Sequence, residues 1–297
     1  MGKPRGERVD GVLLLDKSGG MSSNFALQKA RRLMNAAKAG HTGTLDPMAT
    51  GLLPVTLGEA TKFSADLLDA DKAYEATIRF GATTTTGDAE GEVIETRPVS
   101  FSRDQLDAAM ARLRGTIQQV PPMHSALKRD GKPLYELARA GIEVERAPRT
   151  VVIHRFELIE LDGEQARVTV DCSKGTYIRV LAEDLGRALG CGAHLIALRR
   201  TRVGQLTLDG AVSLERMGEM TLDERRVALA PADRLLASLA RVDLDETLAA
   251  RLRQGQRLAI ECPDRGRVRV YGPQQELLGT ALVNERGVLA PERLIAS

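Results

Sequence analysis

Strand-like and helix-like segments follow one another in an irregular order along this chain, and that order limits the folds open to it. The apolar run 11–17 predicts a buried strand. The alternation of Tyr74, Ala76, Ile78 and Phe80 predicts a second strand with these four side chains on one face. A parallel sheet built from repeating βαβ units would alternate regularly. We therefore expect an α+β fold with a mixed or antiparallel sheet.

Two helices are predicted close to segments of functional interest. Ser22 or Ser23 can cap the first helix, apolar residues recur behind them at helical spacing, and Gly40 is a natural end point. Thr176 can cap a second helix over residues 177–189.

The length of the chain allows two folding units. With 297 residues and 43% hydrophobic content, it can bury one sizeable core and form a second, smaller module. We predict a main domain over residues 1–241, with a proline-containing, basic insertion at about 119–149. After it the pattern changes to short strand segments separated by turns. Residues 242–297 are therefore predicted to form a small, largely β domain.

Composition also bears on where the protein works. No apolar run approaches the roughly 20 residues that span a bilayer, and no apolar signal core follows the polar start of the chain. Cys172, Cys191 and Cys262 are odd in number and far apart, which argues against a disulfide framework. We expect a cytoplasmic protein with reduced thiols and no membrane association.

Cofactor motifs are not found in the sequence. Neither a G-x-x-x-x-G-K-[ST] loop nor a G-x-G-x-x-G loop occurs, so nucleotide cofactors have no support. The four histidines lack the close spacing of metal ligands. We therefore expect no metal and no organic cofactor.

Positive charge is concentrated locally although the net charge is only +2. Residues 17–45 contain five lysines and arginines and no acidic residue. Each further basic cluster alone is more often a solvated surface, but together they favour a polyanionic partner. These clusters are Lys128-Arg129, Arg146 with Arg149, Arg199-Arg200 with Arg202, and Arg265 with Arg267 and Arg269.

Asp46 interrupts this positive region on a glycine-containing loop, residues 40–54. An isolated carboxylate in such surroundings can serve as a nucleophile or a base. Asp followed by Pro is also a common turn former whose side chain caps local N–H groups. Spacing alone leaves both interpretations open.

The loop at 40–54 closely resembles the signature of the bacterial TruB-type family of tRNA pseudouridine synthases. The similarity is colinear over nearly the whole chain. Two positions depart from the family pattern: Ser18 stands where Pro is usual, and His124 stands near a position often occupied by Tyr. The other matching segments are Leu15-Asp16-Lys17, Ser22-Ser23, residues 58–62, Asp71 to Tyr74, Pro121-Pro122, residues 125–128 with Gly131, residues 175–179 and residues 198–201.

This resemblance implies a pseudouridine synthase catalytic domain followed by a PUA-like RNA-binding domain. The implied activity is the isomerisation of uridine to pseudouridine at position 55 in the T-loop of tRNA, without a metal or organic cofactor. The implied partner is the tRNA T-arm, and we expect a monomer with no obligate protein partner. A non-catalytic RNA-binding or RNA-folding protein on the same scaffold is the alternative, and a guide-RNA-type synthase acting in a complex is a weaker one.

The resemblance also implies roles for individual residues. Asp46 would be the catalytic carboxylate, and Arg179 would hold it charged through an ion pair that lowers its pKa. Tyr74 would stack on the target uracil, with Tyr177 and Leu198 walling the base pocket, although all three also fit a hydrophobic core. Attack on the sugar, attack on the base and a glycal route stay open, and each needs an ionised carboxylate.

Five further residues are implied in RNA binding. His41 would fill the gap left in the RNA stack when the uridine is extruded. Lys17 and Lys62 would act as supporting charges. Lys128 would contact RNA from the 119–149 insertion, a flap over the T-arm, and Arg199 would contact RNA from the main domain.

Overall fold

The computed structural model describes residues 6–129 and 131–296. Its strands are β1 Gly11–Lys17, β2 Ala39–His41, β3 Thr50–Leu57, β4 Lys72–Phe80, β5 Ala82–Thr84, β6 Val93–Thr96, β7 Gly115–Gln119, β8 Lys128–Arg129, β9 Lys132–Pro133, β10 Arg149–Asp162, β11 Gln165–Cys172, β12 Ala193–Val203, β13 Leu206–Thr207, β14 Ala240–Asp243, β15 Leu258–Ala259, β16 Gly266–Tyr271, β17 Leu277–Val283 and β18 Val288–Leu294. Its α-helices are α1 Ser23–Leu33, α2 Ser64–Leu68, α3 Arg103–Arg112, α4 Leu134–Arg139, α5 Ile178–Ala188, α6 Leu214–Glu219, α7 Leu222–Val227 and α8 Glu246–Arg253. Two 3-10 helices cover Gly58–Phe63 and Ala232–Leu236.

A large mixed sheet forms the main body. Within the described residues its order is β1-β3-β12-β4-β11-β10-β7, with β2 paired to β3 and β13 paired to β12. The β3–β12 pair is parallel, and the other pairs are antiparallel. This arrangement confirms the α+β fold with a mixed, mainly antiparallel sheet.

Strand β4, predicted from its alternating sequence, lies near the centre of this sheet. Ala76, Ile78 and Phe80 are buried in the main core, and Tyr74 packs against the same core at the other end of the strand. Strand β3 was not predicted as a strand. It is almost continuously apolar because it is buried on both faces. Such a run lacks the alternation that distinguishes a strand from a buried helical segment.

The predicted end of the first helix is wrong. Ser22 does cap α1, since its hydroxyl accepts a hydrogen bond from the N–H of Phe25 at 3.1 Å. The helix ends at Leu33 because Asn35 adopts a left-handed conformation with φ of 50°, which asparagine tolerates. Gly40 instead lies in β2.

The predicted cap of the second helix is also wrong. Helix α5 begins at Ile178, and the hydroxyl of Thr176 donates to the carbonyl of Ser173 at 2.9 Å. The N–H of Tyr177 donates instead to the side-chain oxygen of Gln119 at 3.0 Å. Gln119, which is distant in sequence, therefore accepts the hydrogen bond at the start of α5 that the local pattern assigned to Thr176.

A five-stranded sheet, in the order β14-β16-β17-β18-β15, follows the main body with its own hydrophobic core. Helix α8 packs into that core and was not predicted. Leu277 and Ile295 also pack against a hydrophobic cluster of the main body that includes Leu235 and Leu236. The strand content confirms a C-terminal β domain, while the domain boundary at residues 241 and 242 stays a prediction.

Candidate active site

A pocket of about 370 Å³ opens where β4, β12 and the start of α5 meet the loop that carries Asp46. Its volume lies near the lower end of the roughly 300–1,000 Å³ range of small-molecule sites. The pocket brings together five of the ten residues selected from sequence: Asp46, Tyr74, Tyr177, Arg179 and Leu198. Further lining residues include Thr44, Leu68, Lys72, Ser125, Leu127 and Arg200.

Asp46 lies on the loop between β2 and β3, with 35% of its side chain exposed. Its backbone carbonyl accepts a hydrogen bond from the N–H of Ala49 at 3.1 Å, so the Asp-Pro turn forms. Its carboxylate pairs with Arg179, with 3.0 Å between Nε and Oδ2. The carboxylate is therefore directed toward the pocket and not into the turn.

Arg179 is held on several sides. It lies in the first turn of α5 and only 5% of its side chain is exposed. Besides Asp46, its Nε lies 3.6 Å from a carboxylate oxygen of Asp88. Its Nη1 donates to the carbonyl of Thr86 at 2.8 Å, and its Nη2 donates to the carbonyl of His124 at 2.7 Å. The predicted ion pair with Asp46 is present. Because Arg179 also binds the carbonyl of His124, it anchors the 119–149 insertion.

The expected lowering of the Asp46 pKa needs correction. Burial raises the pKa of Asp46 above the ordinary value of 3.8, and the charge of Arg179 only opposes this rise. The charge of Asp88 adds to it. Sequence reasoning named the favourable ion pair but could not include the desolvation that the pocket imposes.

Two tyrosines and a leucine form walls of the pocket. Tyr74 comes from β4 and Tyr177 precedes α5, and burial raises the pKa of both phenols. Both phenols are therefore protonated at neutral pH. Leu198 is buried in β12 and contributes an apolar surface. Leu198 belongs to the main core and Tyr74 packs against it, so for these two residues the pocket and core interpretations are compatible, whereas Tyr177 is half-buried and lines the pocket.

Lys17 holds the backbone of the loop that carries Asp46. It is fully buried, and its ammonium group donates to the carbonyls of Ser18 and Met21 at 2.9 Å and of Pro47 at 3.2 Å. Burial lowers its pKa to about 8. Because Pro47 follows Asp46 directly, Lys17 fixes the backbone beside the candidate catalytic carboxylate.

The other selected residues lie outside the pocket lining. His41 is half-buried in β2, and burial lowers its pKa. Lys62 donates to Glu59 at 2.6 Å and to the carbonyl of Leu294 at 2.7 Å, which connects the main body to the C-terminal sheet. The remaining two are Lys128, exposed in the insertion, and Arg199, paired with Asp16 at 2.7 Å.

Sequence reasoning did not select Lys72, Asp88 or Arg200 for this site. Lys72 and Arg200 line the pocket, and Asp88 contacts Arg179. All three are charged and nearly fully buried. The feature that would have selected them is a charged side chain buried in a strand or turn of the main body. That burial depends on packing that the sequence does not show.

The described residues contain no group of three or more histidine, cysteine, aspartate or glutamate side chains placed to hold a metal ion. Over the same part of the chain, no helix is long and apolar enough to cross a membrane.

Family models match the chain in three consecutive segments. Residues 31–178 match the model described as TruB family pseudouridylate synthase, N-terminal domain. Residues 179–237 match the tRNA pseudouridylate synthase B C-terminal domain, and residues 240–295 match pseudouridine synthase II TruB, C-terminal.

Individual relatives agree over almost their full length. The chain is 60% identical over 289 residues to a tRNA pseudouridine synthase B of Aromatoleum aromaticum, covering 97% of this chain and 94% of the relative. It is also 60% identical to the protein of that name in Cupriavidus metallidurans, with the same coverage of 97% and 94%.

Solved structures share the fold. A crystal structure of a Cbf5–Nop10–Gar1 complex superimposes with a TM-score of 0.74 at 25% identity, covering 96% of this chain and 84% of that chain. An H/ACA RNP bound to a substrate RNA containing 2'-deoxyuridine gives a TM-score of 0.75 at 23% identity, with 100% and 92% covered. At that identity the second likeness shows the fold alone. Taken with the family models and the relatives, the agreement in sequence means that this chain belongs to the TruB family of pseudouridylate synthases.

Proposed function

We propose that this protein isomerises uridine to pseudouridine at position 55 in the T-loop of tRNA. The observation that carries the proposal is the Asp46 carboxylate, which is paired with Arg179 and faces a pocket of about 370 Å³. Membership of the TruB family supplies the reaction class, and the resemblance of the 40–54 loop supplies the position in tRNA.

The pocket dimensions suit one extruded nucleotide and not an RNA duplex. An enzyme that acts on a base must first take that base out of the stack. His41 is the last residue of β2, the strand that leads into the Asp46 loop. We assign to His41 the filling of the gap in the RNA stack.

In the proposed reaction, Asp46 promotes cleavage of the N-glycosidic bond of the bound uridine. The freed uracil turns within the pocket, C5 bonds to C1' of the ribose and loses its proton, and N1, which has lost its bond to the ribose, gains a proton. Arg179 holds the carboxylate in place and favours its ionised form. The order of bond-making at Asp46 is left open among attack on the sugar, attack on the base and a glycal route.

The walls of the pocket retain the detached base. Tyr74 stacks on the uracil ring, and Tyr177 and Leu198 close the pocket against water. Leu127 of the insertion also lines the pocket, so the insertion contributes to its closure.

RNA recognition involves surfaces beyond the pocket. The 119–149 insertion, with Lys128, serves as the flap over the T-arm, since folded RNA is recognised mainly through shape and backbone. Lys17 supports the backbone beside Asp46, Lys62 joins the main body to the C-terminal sheet, and Arg199 contributes charge on β12. The C-terminal domain, residues 242–297, binds RNA beyond the T-arm. The protein acts as a cytoplasmic monomer without an obligate protein partner.

The test is pseudouridine mapping on an unmodified tRNA transcript incubated with the purified protein or with Asp46→Asn. The amide keeps the shape of the side chain but loses its charge, so tRNA binding persists and the rate falls by at least about 10³-fold. Asp162→Asn is the matched control, because Asp162 is exposed at the β10–β11 turn, away from the pocket end of those strands.

A transcript with cytidine at position 55 separates the target position from general modification of uridines. Product at other sites of that transcript argues against the proposed specificity. Tight tRNA binding by the unmutated protein without any product supports the alternative function, a non-catalytic RNA-binding or RNA-folding protein.

A further inference from the structure

Arg200 holds both ends of the loop that carries Asp46. Its Nε donates to the carbonyl of Leu52 at 2.8 Å, on the C-terminal side of the loop. Its Nη2 and Nη1 donate to the carbonyls of Gly43 at 3.2 Å and Thr44 at 3.3 Å, on the N-terminal side. A single planar guanidinium therefore closes this loop across its base.

The position of Arg200 in the sheet also connects the loop to the aromatic wall. On β12, Arg200 pairs with Tyr74 of β4 on one side and with Gly51 of β3 on the other. A Cβ atom on Gly51 would lie 2.3 Å from the carbonyl oxygen of Arg200, so these strands approach as closely as glycine allows. Strand β12, which carries Arg200, thus lies between β4, which carries Tyr74, and β3, which follows the Asp46 loop.

The charge of Arg200 is buried without an acidic partner. Its exposed fraction is 1%, and no carboxylate forms an ion pair with it among residues 6–129 and 131–296. The neighbouring Arg199 and Arg202 pair with aspartates instead. Taking a guanidinium out of water is costly unless its donors are satisfied, and here backbone carbonyls of the loop satisfy them.

From these contacts we infer that Arg200 is a positioning residue for Asp46, and that it fixes the distance between the carboxylate and the Tyr74 face of the pocket. This inference rests on the proposed function. Reacting groups must be held within a fraction of an ångström, and a displacement of about 1 Å can cost on the order of 100-fold in rate. The guanidinium suits this task because its planar donors reach separate carbonyls at once.

The test uses the full-length protein with Arg200→Met and Arg200→Lys. Methionine keeps much of the apolar stem and removes all donors, whereas lysine keeps the charge but presents it at one point. The measurements are the tRNA dissociation constant and the single-turnover rate constant for pseudouridine formation at saturating protein. Thermal unfolding of each variant shows below which temperature it is fully folded.

Arg225→Met is the matched control. The Nε and Nη1 of Arg225 donate to the carbonyls of Met217 and Leu33, each at 2.6 Å, so it also joins distant backbone segments. Those segments belong to α6 and α1 and not to the pocket lining. We expect its loss to lower stability while the contacts of Arg200 with the Asp46 loop are kept, because Arg225 binds the end of α1 remote from that loop.

We expect Arg200→Met to keep tRNA affinity within about twofold and to lower the single-turnover rate constant by about 100-fold. Arg200→Lys should recover part of that rate, and Arg225→Met should retain the rate of the unmutated protein. If Arg200→Met does not fold, Arg200→Lys carries the same comparison with an expected loss of about tenfold.

Folded Arg200 variants with unchanged rates would overturn the inference. So would a loss of tRNA affinity as large as the loss of rate, because Arg200 would then act through RNA binding. Failure of the proposed function is a separate result, since the unmutated protein would itself form no pseudouridine.

Discussion

Arg179 and Asp46 form an ion pair whose two partners differ sharply in exposure. The nitrogen-to-oxygen distance is 3.0 Å, with 5% of the Arg179 side chain exposed and 35% of the Asp46 side chain exposed. The cation is therefore fixed inside the protein by carbonyls and by Asp88, while the carboxylate stays accessible to a bound base. The pair directs Asp46 toward the pocket without covering it.

The pH dependence of the rate should report the Asp46 carboxyl. Because burial raises its pKa and the reaction needs the ionised form, the single-turnover rate constant should fall as pH decreases, with a midpoint above 3.8. The measurement is the rate constant from about pH 4 to about pH 8, with tRNA binding followed at each pH. A rate that stays constant down to the low end, with binding intact, would contradict this assignment.

Asp88→Asn should move that acid limb to lower pH. The negative charge of Asp88 adds to the burial-driven rise in the Asp46 pKa, so its removal favours ionisation of Asp46. The rate at neutral pH should nevertheless drop about tenfold, because Arg179 loses a carboxylate that helps to orient it. Asp184→Asn removes an aspartate paired with Arg187 on the same helix and serves as the control. An acid limb shifted upward would be inconsistent with this electrostatic account.

Lys17→Met should destabilise the protein by about 3 kcal/mol, since three backbone carbonyls lose the donor that a fully buried side chain supplies and the side-chain volume is nearly kept. Urea unfolding monitored by circular dichroism measures this change. Lys174→Met is the comparison, because Lys174 forms an exposed ion pair with Asp69 at 2.9 Å and should cost less than about 1 kcal/mol. Equal losses in the two variants would show that the Lys17 contacts add nothing beyond a surface pair.

Gly51→Ala should cost about 2–4 kcal/mol and slow the reaction, because a Cβ meets the Arg200 backbone and φ is +95°. Gly115→Ala separates the two causes, since Gly115 has a φ of +78° but no atom within 4 Å of the added carbon. Chemical denaturation and single-turnover kinetics give both quantities. If the two alanine variants lose equal stability, the close approach to Arg200 contributes no strain.

Local patterns predicted several elements well. The alternation from Tyr74 predicted β4, and the apolar run 11–17 predicted β1. The alternation in β4 is repeated over enough residues to show which face is buried. The error at the end of α1 arose because Asn35 ends the helix with a left-handed conformation before the glycine that the pattern favours.

Within the site, the sequence led to Asp46, Arg179 and the wall residues through their resemblance to family motifs. It did not lead to Arg200, because a pair of adjacent arginines usually lies on a solvated surface. Only one of the two does so here: Arg199 is partly exposed beside Asp16, and Arg200 points to the opposite face of β12 and is buried.

The sequence by itself determined the class of fold, the strand that carries Tyr74 and the loop that carries Asp46, because hydrophobic period and turn residues act over short distances. Only the tertiary structure decided that the Asp46 pKa rises, and that Lys17, Arg179 and Arg200 are held by backbone carbonyls. Burial and hydrogen-bond partners depend on segments far apart in the chain. The physical reason is that desolvation and the low-dielectric interior arise only once these segments pack together.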